Sequence, residues 1–370
     1  LLKTYDKIYT IDLHGNSKKK ETAPDGSKDE NVFDIQQGVS INIFVKTGNK
    51  KPNELGQVFH FDVYGKREFK YAFLTENTIK SINFNKLPNI APNYFMVQKD
   101  FAAQKKYDLG FQVNELFLIN GVGLTTAHDE FVIKETCNDL LNYFKKFQVA
   151  KRDENHLHQE FNVRKKKGWN ILEGYDNIRN EADLNKYIEP ISYRPFDSRY
   201  VFYEDKLVWR TVRQVMQHFL KGENVGITLC KQFKTGDNYV HTFITNKIIE
   251  SSYVSNRTSE ITSTFPIYLY PETTGQQTLE QNTAERTPNL NTKIVKQIAD
   301  KLSLTFTDEK EATKNTFAPI DILDYIYAVL HSPTYRQKYK EFLKIDFPRV
   351  PYPQDQNTFW KLVKLGSELR

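Results

Sequence analysis

Only two cysteines occur in the 370 residues, Cys137 and Cys230, far apart and outside any Cys-x-x-Cys spacing. That scarcity excludes a disulfide framework or a cysteine zinc site and points to the reducing cytoplasm. No apolar run approaches the roughly 18 residues a membrane-spanning helix needs, so no membrane partner is expected. The N-terminus LLKTYDKIYT lacks the charged-then-apolar order of a signal peptide and has no initiator methionine. It begins almost directly in a strand pattern, which leads us to expect a piece of a longer chain.

Catalytic signatures are equally scarce. No phosphate-binding P-loop and no Gly-x-Ser-x-Gly elbow is present. The lone Gly121-Val122-Gly123 has Thr126 where a dinucleotide loop needs its third glycine, and it reads as a structural turn. His156-x-His158 has metal-ligand spacing but polar surroundings, as on a solvated helix. Asp25, Asp29 and Glu30 imitate a metal nuclease cluster, yet they stand in the loop Ser17 to Glu30, where carboxylates need no special explanation. No complete catalytic constellation and no metal site emerges.

Hydrophobic residues make up 39%, aromatics 14% and charged residues 26%, a balance that describes a folded chain long enough for two or three domains. The net charge of +6 is uneven: residues 141–240 hold 18 Lys/Arg against 13 Asp/Glu. A basic middle favours a polyanionic partner.

The runs Tyr5–Leu13, Val39–Val45 and Gln57–Tyr64 read as strands, the last two as an antiparallel pair with a long connection. Three strands without a helix cannot cover both faces of a sheet, so further layers are expected upstream. NYFMVQ at 93–98 is strand-like, and Leu140, Leu141, Phe144 and Phe147 are spaced for a helix. Val225–Cys230, Asn238–Ile244, Ile248–Val254 and Phe265–Tyr270 read as strands, and Thr273–Leu290 as a polar linker. Helices are expected over Thr292–Leu302, from Pro319 to Leu330, after Ser332-Pro333, and after an Asn357 cap.

One stretch concentrates recognition chemistry. Ile191 to Met216, ISYRPFDSRYVFYEDKLVWRTVRQVM, sets Arg194, Arg199, Arg210 and Arg213 among Tyr193, Phe196, Tyr200, Phe202, Tyr203 and Trp209. It reads as a strand and turn running into a short helix. Guanidinium forks and flat rings suit phosphates and base edges, although a core with a charged rim has the same composition. The same middle region holds Arg164 to Lys167, Lys231, Gln232, Lys234, His241 and Ser255-Asn256-Arg257.

The run YDKIYTIDLHGNSKKKETAPDGSKDENVFDIQQGVSINIFVK, followed by VFHFDVYGKREFKYAFL, resembles adenine-specific DNA methyltransferases downstream of their catalytic motif, in the type ISP restriction-modification enzymes and related methylase-helicase proteins. GVGLTTAHDEFVI, SYRPFDSRYVFY, TFPIYLY, RTPNL and IDILDYIYAVLHSPTYRQKYKEFLKIDFPRVPYP resemble the target recognition domain and helical end of that family. The resemblance implies an α/β remnant of a methyltransferase sheet over 1–75, a mixed α+β, β-rich target recognition domain over 76–315, and a C-terminal helical segment over 316–370. It implies double-stranded DNA as partner, beside upstream methyltransferase and possibly helicase and nuclease parts of one bacterial polypeptide. The family's catalytic tetrapeptide and its loop for S-adenosylmethionine are missing, since Ala91-Pro92-Asn93-Tyr94 is a chance echo. The intact parent would methylate a flipped adenine with that cofactor, whereas this stretch is expected to bind DNA, hold no cofactor and methylate nothing alone. Arg194, Arg199, Arg210 and Arg213 are the first candidates for DNA contact, then Lys231, Gln232, Lys234 and Arg257, with Arg164 and Lys166 from the basic cluster. If YRPFDSRY is a structural corner, Arg210 and Arg213 are the better placed. A protein-interaction scaffold and a complete methyltransferase or nuclease with an unfamiliar site remain the rival readings.

Overall fold

The β-branched and aromatic run KIYTID forms β1 (Lys7–Asp12) and buries Ile8, Thr10 and Ile11. A computed structural model describes residues 1–19, 21–91, 94–233, 239–254, 260–271, 285–313 and 315–370. The described residues fall into two units, Leu1 to Gln104 and Lys105 to Arg370.

In the first unit β2 (Ser40–Val45) lies antiparallel to β1 and β3 (Gln57–Asp62) parallel to it, with Ile8 opposite Phe44 on one side and Val58 on the other. The expected antiparallel pair is therefore not made, because β1 stands between the two strands. Burial explains the order: β3 buries Val58 and His60, whereas no residue of β2 is fully buried, so β2 takes the edge. The chain then forms α1 (Arg67–Glu76) and β4 (Asn85–Leu87), which closes the sheet beside β3. Ile11, Leu13, Val32 and Val63 form its small core, with Phe61, Phe73 and Phe84 against them. Residues 94–98, expected as a strand, form none.

The loop Ser17 to Glu30 is tied down by charge. Asp29 and Lys70 form an ion pair of 2.8 Å with both side chains fully buried. The two amides that donate to Asp29 belong to Gly15 (2.6 Å) and Gly65 (2.7 Å), at φ +80° and +120°. Glycine is needed at position 15, where a Cβ would lie 2.5 Å from the Asn31 backbone. Lys70 spends its remaining donors on the Leu13 and Glu30 carbonyls, at 2.6 and 2.7 Å.

The second unit opens with α2 (Phe101–Asp108), which straddles the division, then β5 (Phe111–Gln112), α3 (Val113–Leu116), β6 (Gly121–Val122), α4 (Asp129–Val132) and β7 (Ile133–Lys134). Then come α5 (Cys137–Val149), α6 (Glu154–Glu160) and α7 (Ile171–Ile178). As spaced for a helix, Leu140, Phe144 and Phe147 are buried on α5, which Thr136 caps by accepting from the Asp139 amide. The stretch 191–216 is more than strand, turn and helix. It makes a hairpin of β8 (Ile188–Arg194) and β9 (Asp197–Phe202), then an irregular passage into the four-residue α8 (Arg213–Met216).

Two four-stranded sheets result. One orders β12 (Ile248–Ile249), β8, β9 and β7. The other orders β11 (Thr242–Thr245), β10 (Gly226–Cys230), β13 (Thr262–Pro266) and β6. Gly121 and Gly123 do not form a turn. They bring β6 against β13 and let the backbone of Glu250 pass 2.6 Å from where a Cβ on Gly123 would stand. An aromatic core of Phe131, Phe144, Phe147, Phe161 and Phe202 underlies β9, with Phe144 stacked on Phe202 at 3.7 Å.

Toward the C-terminus β14 (Tyr268–Leu269) pairs with β15 (Thr287–Pro288), so both ends of the linker stretch are held, although residues 272–284 lie outside the described residues. Asn289 of RTPNL is wholly buried: it accepts from the Ile119 amide (2.8 Å) and donates to the Ile119 and Pro266 carbonyls (2.7 Å each). Then follow α9 (Thr292–Leu302), the pair β16 (Thr305–Phe306) and β17 (Thr316–Phe317), α10 (Pro319–His331), α11 (Pro333–Leu343), β18 (Arg349–Val350) and α12 (Gln356–Leu369). Pro319 opens α10 and Ser332 caps α11 as expected. α12 is capped by Asp355, which accepts from the Thr358 amide, rather than by Asn357, because only Asp355 keeps the extended backbone a cap requires. No helix among the described residues is long and apolar enough to cross a membrane.

Removing the Lys70 ammonium strands a buried carboxylate. Lys70→Met is expected to lower the unfolding free energy of the first unit by about 3–5 kcal/mol in urea titration. Lys28→Ala, at a side chain that is mostly exposed, is expected to leave it unchanged.

Candidate nucleic-acid interface

The hairpin β8–β9 turns through Pro195-Phe196, with Arg194 opposite Asp197 and a bulge at Tyr193. Phe196 has φ +65°, so proline followed by a left-handed residue gives the pattern of a type II turn. Both hairpin arginines lie over one ring, Arg194 3.9 Å and Arg199 4.4 Å from the centre of Tyr193. Each is also answered by acid. Arg194 donates to Glu250 at 2.7 Å and lies 3.8 Å from Asp129, while Arg199 meets Asp197 at 2.9 Å. Tyr193 donates its hydroxyl to Asp129 at 2.8 Å; burial, with that carboxylate, pushes the phenol up to about 12. This end of the hairpin is thus charge-balanced and firmly fastened.

Arg213, on the first turn of α8, pairs with Asp205 at 2.7 Å and covers the Tyr203 ring at 4.6 Å. Both partners are about half exposed, so the pair contributes little to the fold, and a phosphate competes with Asp205 on similar terms. Lys231 stands 3.6 Å from Asp346, and Gln232 donates to the Ile345 carbonyl at 2.8 Å, a separate place at the end of β10. Lys234 and Arg257 lie outside the described residues. His241 is no surface contact: it is buried against Glu260 at 3.0 Å, and burial holds its ring below the ordinary value.

Lys166 and Arg210 come together at one ring, with Arg164 two positions before Lys166 in the chain. Lys166 is fixed by the turn Lys166 to Trp169, where Gly168 takes φ +80°, and its ammonium lies 3.5 Å from the centre of the Trp209 ring. The Arg210 guanidinium lies 4.6 Å from the same ring. Arg210 is locked at its backbone by two hydrogen bonds of 2.9 Å with Thr125, yet its side chain is exposed. Neither these cations nor Arg164 has an acidic partner among the described residues. The field they make is felt by His128, whose ring is held below its ordinary value by burial and by Lys166, His158 and Arg164. The result is an indole framed by unneutralised cations, an arrangement that offers a stacking face and paired donors to a polyanion.

Sequence reasoning had each of these cations but not their grouping. Trp209 lies over forty positions from Lys166, and no periodicity links a turn before α7 to a loop after β9. His128 gave no signal at all.

In the first unit Asp12, His14 and Asp62 bring three metal-type donors together. Both His14 nitrogens are already engaged, Nε2 with Asp62 at 2.8 Å and Nδ1 with Glu21 at 3.0 Å. Burial opposes charge on the ring, but Asp62, Glu21 and Asp12 outweigh it and raise the imidazole from 6.5 to about 9. While the ring carries both protons it has no lone pair to offer a metal ion. The cluster is a caged cation stacked on Tyr64 at 3.9 Å.

A family model described as the type ISP C-terminal specificity domain matches residues 115–370. No curated protein matches the chain. Among solved structures, the chain is similar to a cryo-EM structure of a DrdV–DNA complex, with TM-score 0.65 and 21% identity over 99% of this chain and 35% of that one. It is similar to the ATP-dependent type ISP restriction-modification enzyme LlaBIII bound to DNA, with TM-score 0.68 and 20% identity over 100% of this chain and 23% of that one. A nuclease-deletion mutant of the type ISP enzyme LlaGI in complex with a DNA substrate mimic gives TM-score 0.61 and 19% identity over 99% and 32%. These likenesses are of fold, a mixed α/β architecture of several small sheets and helices. The chain spans no more than 35% of the length of any of the three.

The caged imidazolium gives a pH dependence of known sign. Its proton is bound more tightly in the folded state, so its contribution is fully present below about 6.5 and is lost as pH rises through about 9. Urea unfolding at pH 6 and pH 10 is expected to show the wild-type first unit losing more stability than His14→Gln, by on the order of 3 kcal/mol.

Proposed function

Since the chain belongs to the family of type ISP C-terminal specificity domains, we propose that it is the DNA-reading module of a restriction-modification enzyme that methylates adenine. The observation that carries this reading is the Lys166–Trp209–Arg210 group, two cations without an acidic partner among the described residues that share one aromatic ring. Cations of this kind release counterions from a phosphate backbone, which gives sequence-blind affinity that falls with salt. An exposed guanidinium beside them offers the paired donors that fit a guanine edge, worth about 1–3 kcal/mol of discrimination. The three solved neighbours, all DNA complexes, support the same partner.

In this reading residues 1–75 are the last strands of a methyltransferase sheet, 76–315 the target recognition domain and 316–370 a helical segment packed on it. S-adenosylmethionine and the catalytic tetrapeptide belong to the polypeptide upstream, with any helicase and nuclease parts. The chain supplies recognition energy that offsets the few kcal/mol needed to flip an adenine, and transfers no methyl group itself.

The arginines separate by role. Arg194 secures Glu250, whereas Arg210 and Lys166 face the duplex. Arg194→Ala is expected to cost about 1.5–3 kcal/mol of stability, because it leaves the buried Glu250 carboxylate without a cation, held only by the Ser251 hydroxyl and the Ser252 amide. Arg210→Ala and Lys166→Ala are expected to leave folding intact, weaken gel-shift affinity for mixed-sequence duplex, and each reduce the slope of log affinity against log salt by about 1. Wild-type binding that is absent at low salt or indifferent to salt would overturn the reading.

A further inference from the structure

Phe196 has 100% of its surface exposed, more than any other large apolar side chain among the described residues. It also has φ +65°, a left-handed backbone that glycine or asparagine adopts with far less strain. A bulky aromatic is therefore held where its backbone is strained and where burial returns nothing. Its nearest ring, Phe243, stands 6.3 Å away and nearly perpendicular, which leaves both faces of Phe196 uncovered.

The ring is mounted rigidly. Below the turn Arg194 is fastened to Glu250, Arg199 to Asp197, and Ser192 to Thr245 at 3.0 Å. Lys247 donates to Ser198 at 3.0 Å and has no acidic partner among the described residues. Beside the ring opens a cavity of about 500 Å³ whose lining includes Arg194, Asp197, Ser198, Asn246 and Lys247, with Phe243 among its apolar walls; Asp197 is itself paired with Arg199. A stiff, exposed aromatic tip with an ammonium held only by a hydroxyl at its base suits one kind of occupant: a stacked base with its phosphate alongside.

We propose that Phe196 is an aromatic wedge that enters the base stack of duplex DNA, with Lys247 on the flanking phosphate. This rests on the DNA-binding reading above and adds to it a residue that distorts the duplex rather than reads it. The fastened turn holds the ring out in spite of the strain at position 196. Insertion unstacks one base step, which makes affinity depend on how easily that step opens.

The test compares gel-shift affinities of the 370-residue chain for a mixed-sequence duplex and for the same duplex carrying one abasic site, where room for the ring already exists. Wild type is expected to prefer the abasic duplex roughly tenfold, the order of one base–aromatic stack. Phe196→Ala and Phe196→Gly are expected to bind both duplexes alike. Thermal unfolding of Phe196→Gly at or above the wild-type temperature shows that the fold is intact, since glycine accepts the positive φ without strain. A wild type with no abasic preference, or a preference retained by Phe196→Ala, overturns the wedge and leaves DNA binding standing. Absence of salt-dependent binding to either duplex overturns both.

Discussion

A carboxylate taken out of water has to be met by donors, and much of this chain is arranged around meeting a few of them. Asp29 is answered by Lys70 and two glycine amides, and the loop from Ser17 to Glu30 is shaped by that need. In the second unit Glu250 takes Arg194, Glu260 takes His241, Asp321 takes Lys310 and the Ala318 amide, and Asp324 takes both arms of Arg370. All four carboxylates are at most 6% exposed. Such pairs add little net stability, but losing one partner is costly, so each fixes the elements that carry it.

The same demand decides which cations are left over. A net charge of +6 says nothing about where a polyanion would settle, because a cation pinned to a buried acid is not free to turn toward it. Subtracting the answered side chains removes Arg194, Arg199 and Arg213 from the free charge of the 191–216 stretch and leaves Arg210, which meets Lys166 at one indole. The hairpin arginines, prominent in the sequence, work mainly inside the molecule: they hold the β8–β9 corner whose tip and flanks meet the solvent.

The elements were legible where period and punctuation agree. α5, α9 and α10 follow their apolar spacing, and Pro319 and Ser332 mark helix starts because proline fits a first turn and serine can accept from a free amide. Pairing was not legible, since strands with similar runs differ only in how deeply they are buried, and β1 took the place between β2 and β3 on that ground. The 94–98 run has strand-like composition but pairs with no strand among the described residues. At the site the residue types were readable, while their company was not. Glu250 carries no sign in the sequence that it will claim Arg194 from 56 positions away, and nothing marks Trp209 as the ring under Lys166.

The pairing of Leu269 with Thr287 has a different kind of consequence. Arg286 is clamped by two 2.7 Å hydrogen bonds to Glu309 and one to the Glu223 carbonyl, so the chain leaves and re-enters the body at neighbouring, independently anchored points. Losing the Arg286 clamp would therefore free Thr287 and Pro288 from one of the ties that keep them beside β14.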